Sequence, residues 1–216
     1  MIKKLLILFI IFVFFPACAS HKHLSPEDRS SIKRVSINEK IEMPNDIYYL
    51  GPGEFSYIGG ALDYLLAQAI YSAVVDVPED LKGKPKEAFK LIMSKNNIYL
   101  NEILFTSFKK KLKNSNLFII KEKEDTNNIF KLNITIYGLA NTHGLSSNLK
   151  PMLGVKARLL SGTGKIIWEK YEQVTNLSRE TPTYTAENLI RNPELLREAF
   201  TSAADVISER FVNDIR

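Results

Sequence analysis

The 216-residue chain predicts an α/β fold of the α+β kind: a mixed, largely antiparallel sheet carrying helices. Three observations predict it. The first is Phe130-Lys131-Leu132-Asn133-Ile134-Thr135-Ile136-Tyr137, which alternates in polarity and places Leu132, Ile134 and Ile136 on one strand face. The second is a hairpin. Val155 to Leu159 alternates again, and Ser161-Gly162-Thr163-Gly164 turns it into a return strand, Lys165 to Val174, holding Trp168 and Tyr171. Trp168 and Tyr171 stand three apart and so on opposite faces, one packed and one near the surface. Neighbouring strands with short polar connections favour antiparallel pairing. The third is a C-terminal helix in which Leu196, Phe200, Ala203, Ile207 and Phe211 recur at helical spacing. Asn192-Pro193-Glu194 starts it with a cap, a proline at the first position and an acid in the first turn. Its stripe is expected to pack on one face of the sheet.

The remaining elements follow the same logic. Ser31 to Ile41 reads as a first strand, with Val35 and Ile37 opposite Ile32, Arg34 and Ser36. Met43-Pro44-Asn45-Asp46 breaks it, Ile47 to Leu50 is a short apolar piece, and Gly51-Pro52-Gly53 turns the chain. Pro78 to Pro85 is a charged loop, and Lys86 to Met93 a short helix. Asn96 or Asn97 is placed to cap the next helix, whose apolar face runs through Ile98, Asn101, Phe105, Phe108 and Leu112, with Leu104 beside it. Lys109-Lys110-Lys111 and Lys113 suit the C-terminal end of that helix as a solvated, dipole-matched turn. Leu117 to Ile120 is a compact strand.

Phe55 to Val77 stands apart, because it carries no lysine or arginine and only Asp63 and Asp76 as charges. It is long enough to span a bilayer, but an aspartate in mid-membrane is costly. A helix buried in the domain or facing a partner is the leading reading. A helix lying on a membrane or joining an oligomer, and a membrane-inserting element, are the alternatives. Gly59, Gly60, Asp63 and Tyr64 mark its candidate partner surface.

The first eighteen residues are an address. Lys3-Lys4 precede an unbroken apolar run from Leu5 to Phe15, and Pro16-Ala17-Cys18 closes it with a small residue before the only cysteine. Eleven apolar residues at about 1.5 Å each reach roughly half of a bilayer core of about 30 Å, which disfavours an uncleaved anchor. The order of cationic start, apolar run, small residue and cysteine resembles a bacterial lipoprotein signal. That resemblance implies cleavage after residue 17 and a thioether-linked diacylglycerol on Cys18, with an acyl chain on the freed amine. Two or three chains tether a protein durably where one does not. Ala19 and Ser20 follow, and the lack of an aspartate there implies outer-membrane sorting by the same resemblance. The expected organisation is signal peptide 1–17, acylated cysteine and flexible tether 18–30, and a single periplasmic domain 31–216 with the apolar helical insertion at about 55–77. His21 and His23 on the tether supply two imidazoles but no closed ligand set, so no metal or cofactor is expected.

Composition narrows the function. The formal charge is +5, and two of the 29 basic residues leave with the signal, so the exported chain is only mildly positive. Export excludes nucleic acid as a natural partner. Acylation of the sole cysteine removes disulfides and thiolate chemistry. The chain has no Gly-x-Ser-x-Gly, no His-Glu-x-x-His and no phosphate-binding glycine loop. His143 beside Ser146 and Ser147 reads as an ordinary polar loop, so no catalytic residue is expected.

From residue 98 onward, Leu117-Phe118-Ile119-Ile120, Phe130 to Gly138, Val155 to Leu160, Gly162 to Gly164 and Lys165-Ile166-Ile167-Trp168 resemble an envelope group. That group includes the N-terminal domain of TolB, the curli-secretion lipoprotein CsgG and the penicillin-binding-protein activator LpoB. The resemblance implies a compact sandwich of a mixed sheet and helices. It also implies a non-enzymatic, lipid-anchored module on the outer membrane that binds or assists another envelope protein in assembly, transport or regulation. The rival expectation is a self-assembling, membrane-associated lipoprotein whose 55–77 segment inserts or forms a homo-oligomer.

Overall fold

The computed structural model describes residues 21–50, 85–122, 126–142 and 148–216. The expected α/β architecture is what the chain adopts. Among the described residues a seven-stranded mixed sheet is ordered β3 (Ile119–Ile120), β1 (Arg34–Ile37), β4 (Ile129–Asn141), β5 (Asn148–Leu160), β6 (Ile166–Val174), with β2 (Tyr48–Leu50) also on β4 and β7 (Tyr184–Thr185) also on β5. Its centre is β4 against β5, and β6 continues the antiparallel ladder. The parallel pairs lie toward one side: β1 with β4, β3 with β1, and β2 with β4. Between β1 and β3 the described residues include the helices α2 (Pro85–Lys95) and α3 (Leu100–Ser115), part of the long crossover that a parallel pair requires.

The core lies between the sheet and the helices α3 and α5 (Pro193–Ile215). Phe130, Leu132 and Ile134 of β4, Leu153, Val155, Ala157 and Leu159 of β5 and Trp168 of β6 are buried. Five aromatic rings meet edge to face or tilted: Phe108 on Phe130 at 5.2 Å, Phe130 on Trp168 at 6.0 Å, Trp168 on Phe211 at 5.8 Å, and Phe118 on Phe130 at 6.1 Å. Such rings contribute large burial together with a fixed packing geometry. Along β4, Lys131, Asn133 and Thr135 are exposed on the other face.

The sequence reading needs several corrections. The alternation of β4 breaks at a bulge between Ile134 and Ile136. One extra residue reverses the phase of a strand. Tyr137 and Leu139 therefore face inward and are buried, while Ile136 is not. On α3 the buried line is Leu100, Leu104, Phe108 and Leu112, so Phe105 sits at the margin of the stripe. The asparagines end α2 instead of capping α3. Asn97 is left-handed at φ 54°, and Asn96 bonds back to the Ile92 carbonyl through its backbone and through its side chain at 2.8 Å. Asparagine tolerates that conformation better than other side chains. The N-cap of α3 is Tyr99, which makes no capping bond with its side chain.

The flexible tether expected at 18–30 is not one over its described part. Ser25, Pro26, Glu27 and Asp28 form a helix start, and the Ser25 hydroxyl accepts from the Asp28 amide at 3.0 Å. They open α1 (Pro26–Ser31). Leu24 is buried, and Lys22 exchanges backbone hydrogen bonds with Glu169 at 2.8 and 2.9 Å. The domain thus begins before residue 31. Strand β7 and the short helix α4 (Ala186–Arg191) are the remaining described elements.

The start of α5 is as expected: the Asn192 side chain accepts from the Glu194 amide at 3.2 Å, and Pro193 follows the cap. Asn192→Ala is expected to lower unfolding stability by about 1 kcal/mol without changing the urea m-value. Urea titration followed by circular dichroism measures it, and an unchanged midpoint would remove the cap from the stability account.

Candidate functional site

The site residues expected from sequence, Cys18, Gly59, Gly60, Asp63 and Tyr64, lie outside the described residues, as does His143. Two other places on the domain gather chemistry.

The first is where the N-terminal segment meets the end of α5. Strand alternation puts Trp168 and Lys170 on the same face of β6. Asp214 projects onto them from the last turn of α5, where a carboxylate opposes the helix dipole and needs partners elsewhere. It finds three. Trp168 Nε1 donates to Oδ2 at 2.9 Å, Lys170 Nζ to Oδ1 at 2.6 Å, and His21 Nε2 lies 3.3 Å from Oδ2. Burial pushes the Asp214 carboxyl up, but the bonds from Lys170, Trp168 and His21 together outweigh it and hold the group below its ordinary value. Burial likewise lowers Lys170, and its contacts with Asp214 and with Glu172 at 3.1 Å reverse the effect and raise it. Arg210, one turn before Asp214, reaches Glu180 at 2.7 Å and Glu172 at 3.5 Å. His23 completes the cluster: its ring centroid is 3.9 Å from that of His21. His21, His23 and Asp214 each present one ligand atom, all within 4.8 Å of one another.

The N-terminal strap is fixed on both sides of this cluster. Lys22 reaches the Ile166 carbonyl with its ammonium, and Arg29 reaches the carbonyl of Arg216. Glu169, whose backbone pairs with Lys22, is itself buried. Its side chain accepts from Arg158 and lies 3.1 Å from Lys156. A buried carboxylate needs such pairing, because an unpaired charge there is costly.

The second place is a groove of about 810 Å³ between α3 and the short strand β3. Phe105 and Ile119 supply its apolar surface, with Ile119 56% exposed. Lys109, Lys113 and Lys121 supply cations and Glu39 and Glu122 acids, and Lys109 lies over the Phe105 ring at 5.3 Å. Strand β3 pairs with β1 alone among the described strands.

Sequence reasoning missed Asp214, Lys170 and Glu169. The available signal was the placement of Asp214, an acid in a helix's last turn beside the buried Phe211 and Ile215. Nothing in the one-dimensional spacing joins it to residues 193 positions earlier.

No protein-family model matches the chain, and no curated protein matches it. Among solved structures, a Xanthomonas campestris protein described by the family model DUF330 superposes with a TM-score of 0.44 at 9% identity, over 90% of this chain and 85% of that one. A minor lipoprotein from Acinetobacter baumannii superposes with a TM-score of 0.39 at 12% identity, over 85% of this chain and 90% of that one. Both superpositions are loose and carry no argument about function or ancestry. Among the described residues, no helix is long and apolar enough to cross a membrane.

Proposed function

We propose that the chain is a lipid-anchored cell-envelope lipoprotein without enzymatic activity, whose folded domain binds or assists another envelope protein. The observation that carries this reading is the order of residues 1–18: cationic start, apolar run, small residue, cysteine. The accessory role is what the sequence resemblance read over residues 117–168 to the TolB, CsgG and LpoB group would imply, and outer-membrane placement belongs to the same proposal. The geometry of residue 22 adds a consequence. Lys22 is bonded to the β6 edge, and four residues span at most about 14 Å. An acylated Cys18 would hold the β6 edge of the domain against the membrane surface, leaving the groove beside β3 at the opposite edge of the sheet for a partner.

Fractionation tests the anchor. Wild type is expected in the outer-membrane fraction and labelled by palmitate; Cys18→Ser is expected to lose the label and not to be held there. A Cys18→Ser chain that stays in the same membrane fraction would refute lipid anchoring. Crosslinked envelopes that yield no specific partner would count against the accessory role. The absence of lysine and arginine from 55–77 favours a second reading, self-assembly through that segment. A Cys18→Ser chain that elutes as a monomer without detergent excludes it.

A further inference from the structure

We propose that His21, His23 and Asp214 form a binding site for a divalent transition-metal cation, Zn²⁺ being the one their chemistry fits best. Two imidazoles and one carboxylate are an established donor set for zinc, and they leave a fourth position for water or a partner's ligand. Bonds of about 2.0–2.1 Å at tetrahedral angles place donors roughly 3.3–3.4 Å apart. His21 Nε2 and Asp214 Oδ2 already stand at 3.3 Å. The widest separation in the trio, within 4.8 Å, closes by rotation of His21 and His23, whose rings are exposed. They occupy alternate positions of one extended strap, so both project to the same side of it.

The fixed parts of the site are preorganised. The Asp214 side chain is 11% exposed, and Trp168 and Lys170 hold its carboxylate from behind. Outer hydrogen bonds of that kind orient a ligating carboxylate. Lys170 is also the feature that opposes a cation. It bonds Oδ1, however, and leaves Oδ2, which accepts the single Trp168 hydrogen bond and has a second lone pair, beside His21. The strap cannot drift from Asp214, because the Lys22 backbone is paired with Glu169 between the two histidines. A metal there would join the first described residues of the chain to its last helix and lock the strap onto the domain.

The test is calorimetric titration of Zn²⁺ into the full chain, purified in detergent without a histidine tag, beside His23→Asn. His23 lies against His21 but is not hydrogen-bonded to Trp168 or Lys170, so its replacement tests the ligand without removing the Trp168 bond. Wild type is expected to bind one equivalent, His23→Asn to bind at least about tenfold more weakly, and Zn²⁺ to raise the melting temperature of wild type alone. Wild type and His23→Asn binding Zn²⁺ equally, or neither binding it, would overturn the site. Asp214→Asn, read by the same titration once circular dichroism shows it folded, is expected to lose binding as well; retained wild-type affinity there would also overturn it.

Discussion

Trp168→Ala is expected to destabilise the domain by about 3–5 kcal/mol, roughly a fifth or more of what a domain commonly has. Trp168 is fully buried and lies edge-on to both Phe130 and Phe211, so its removal opens a cavity where sheet and α5 meet. The loss is also electrostatic. Asp214 would keep Lys170 and His21 but lose its indole donor on Oδ2. Trp168→Phe separates the two effects. It keeps most of the packing and removes only the donor, so a cost of about 1–3 kcal/mol is expected. Trp168 is the only tryptophan, so unfolding of both variants has to be followed by far-ultraviolet circular dichroism in place of emission. A Trp168→Ala variant within about 1 kcal/mol of wild type would mean that the aromatic cluster does not hold α5 on the sheet.

Gly138→Ala is expected to release β2 from β4. Gly138 has φ +156°, and a Cβ there would lie 1.6 Å from the Tyr48 carbonyl oxygen. The oxygen belongs to backbone, so no side-chain rotation relieves the clash. The pairs Tyr48↔Gly138, Tyr49↔Leu139 and Leu50↔Ala140 must open or the strand must shift. The cost is expected at about 2 kcal/mol or more. It should be local as well. Hydrogen exchange is expected to lose protection at Tyr48–Leu50, while the β4–β5–β6 ladder keeps it. Gly164→Ala is the control. Gly164 is also left-handed, at φ +80°, but nothing lies within 4 Å of its Cβ position, so only conformational strain is added. Equal effects of the two substitutions would refute the close approach of β2 to β4.

The two variants probe different consequences of one arrangement. Trp168 joins the sheet to α5 and, through Asp214, to the N-terminal strap. Gly138 lets a second, parallel segment share the edge of β4 that β1 already occupies at its other end. The strap side carries the candidate metal ligands, and the edge formed by β3 carries the groove of mixed charge. These lie at opposite ends of the strand order, so a lipid anchor at one and a partner at the other would not compete for surface.

Local patterning by itself determined the class of fold, the hairpin from Val155 to Val174, and the start and buried stripe of α5. Each rests on contacts between residues a few positions apart, where turn chemistry and periodicity act directly. The same reasoning failed where one residue or one distant partner decides. The bulge before Ile136 exchanged Ile136 for Tyr137 in the core, because an unpaired residue inverts the faces and leaves no mark in composition. The asparagines near residue 97 closed one helix where they were expected to open the next, since the two roles differ only in backbone conformation. The strap was read as solvated tether because its polar residues satisfy that description until β6 supplies a strand edge for Lys22 and Asp214 a partner for His21. Only the tertiary structure could bring residues 21 and 23 to residue 214, and with them the one cluster whose donor set suits a metal among the described residues.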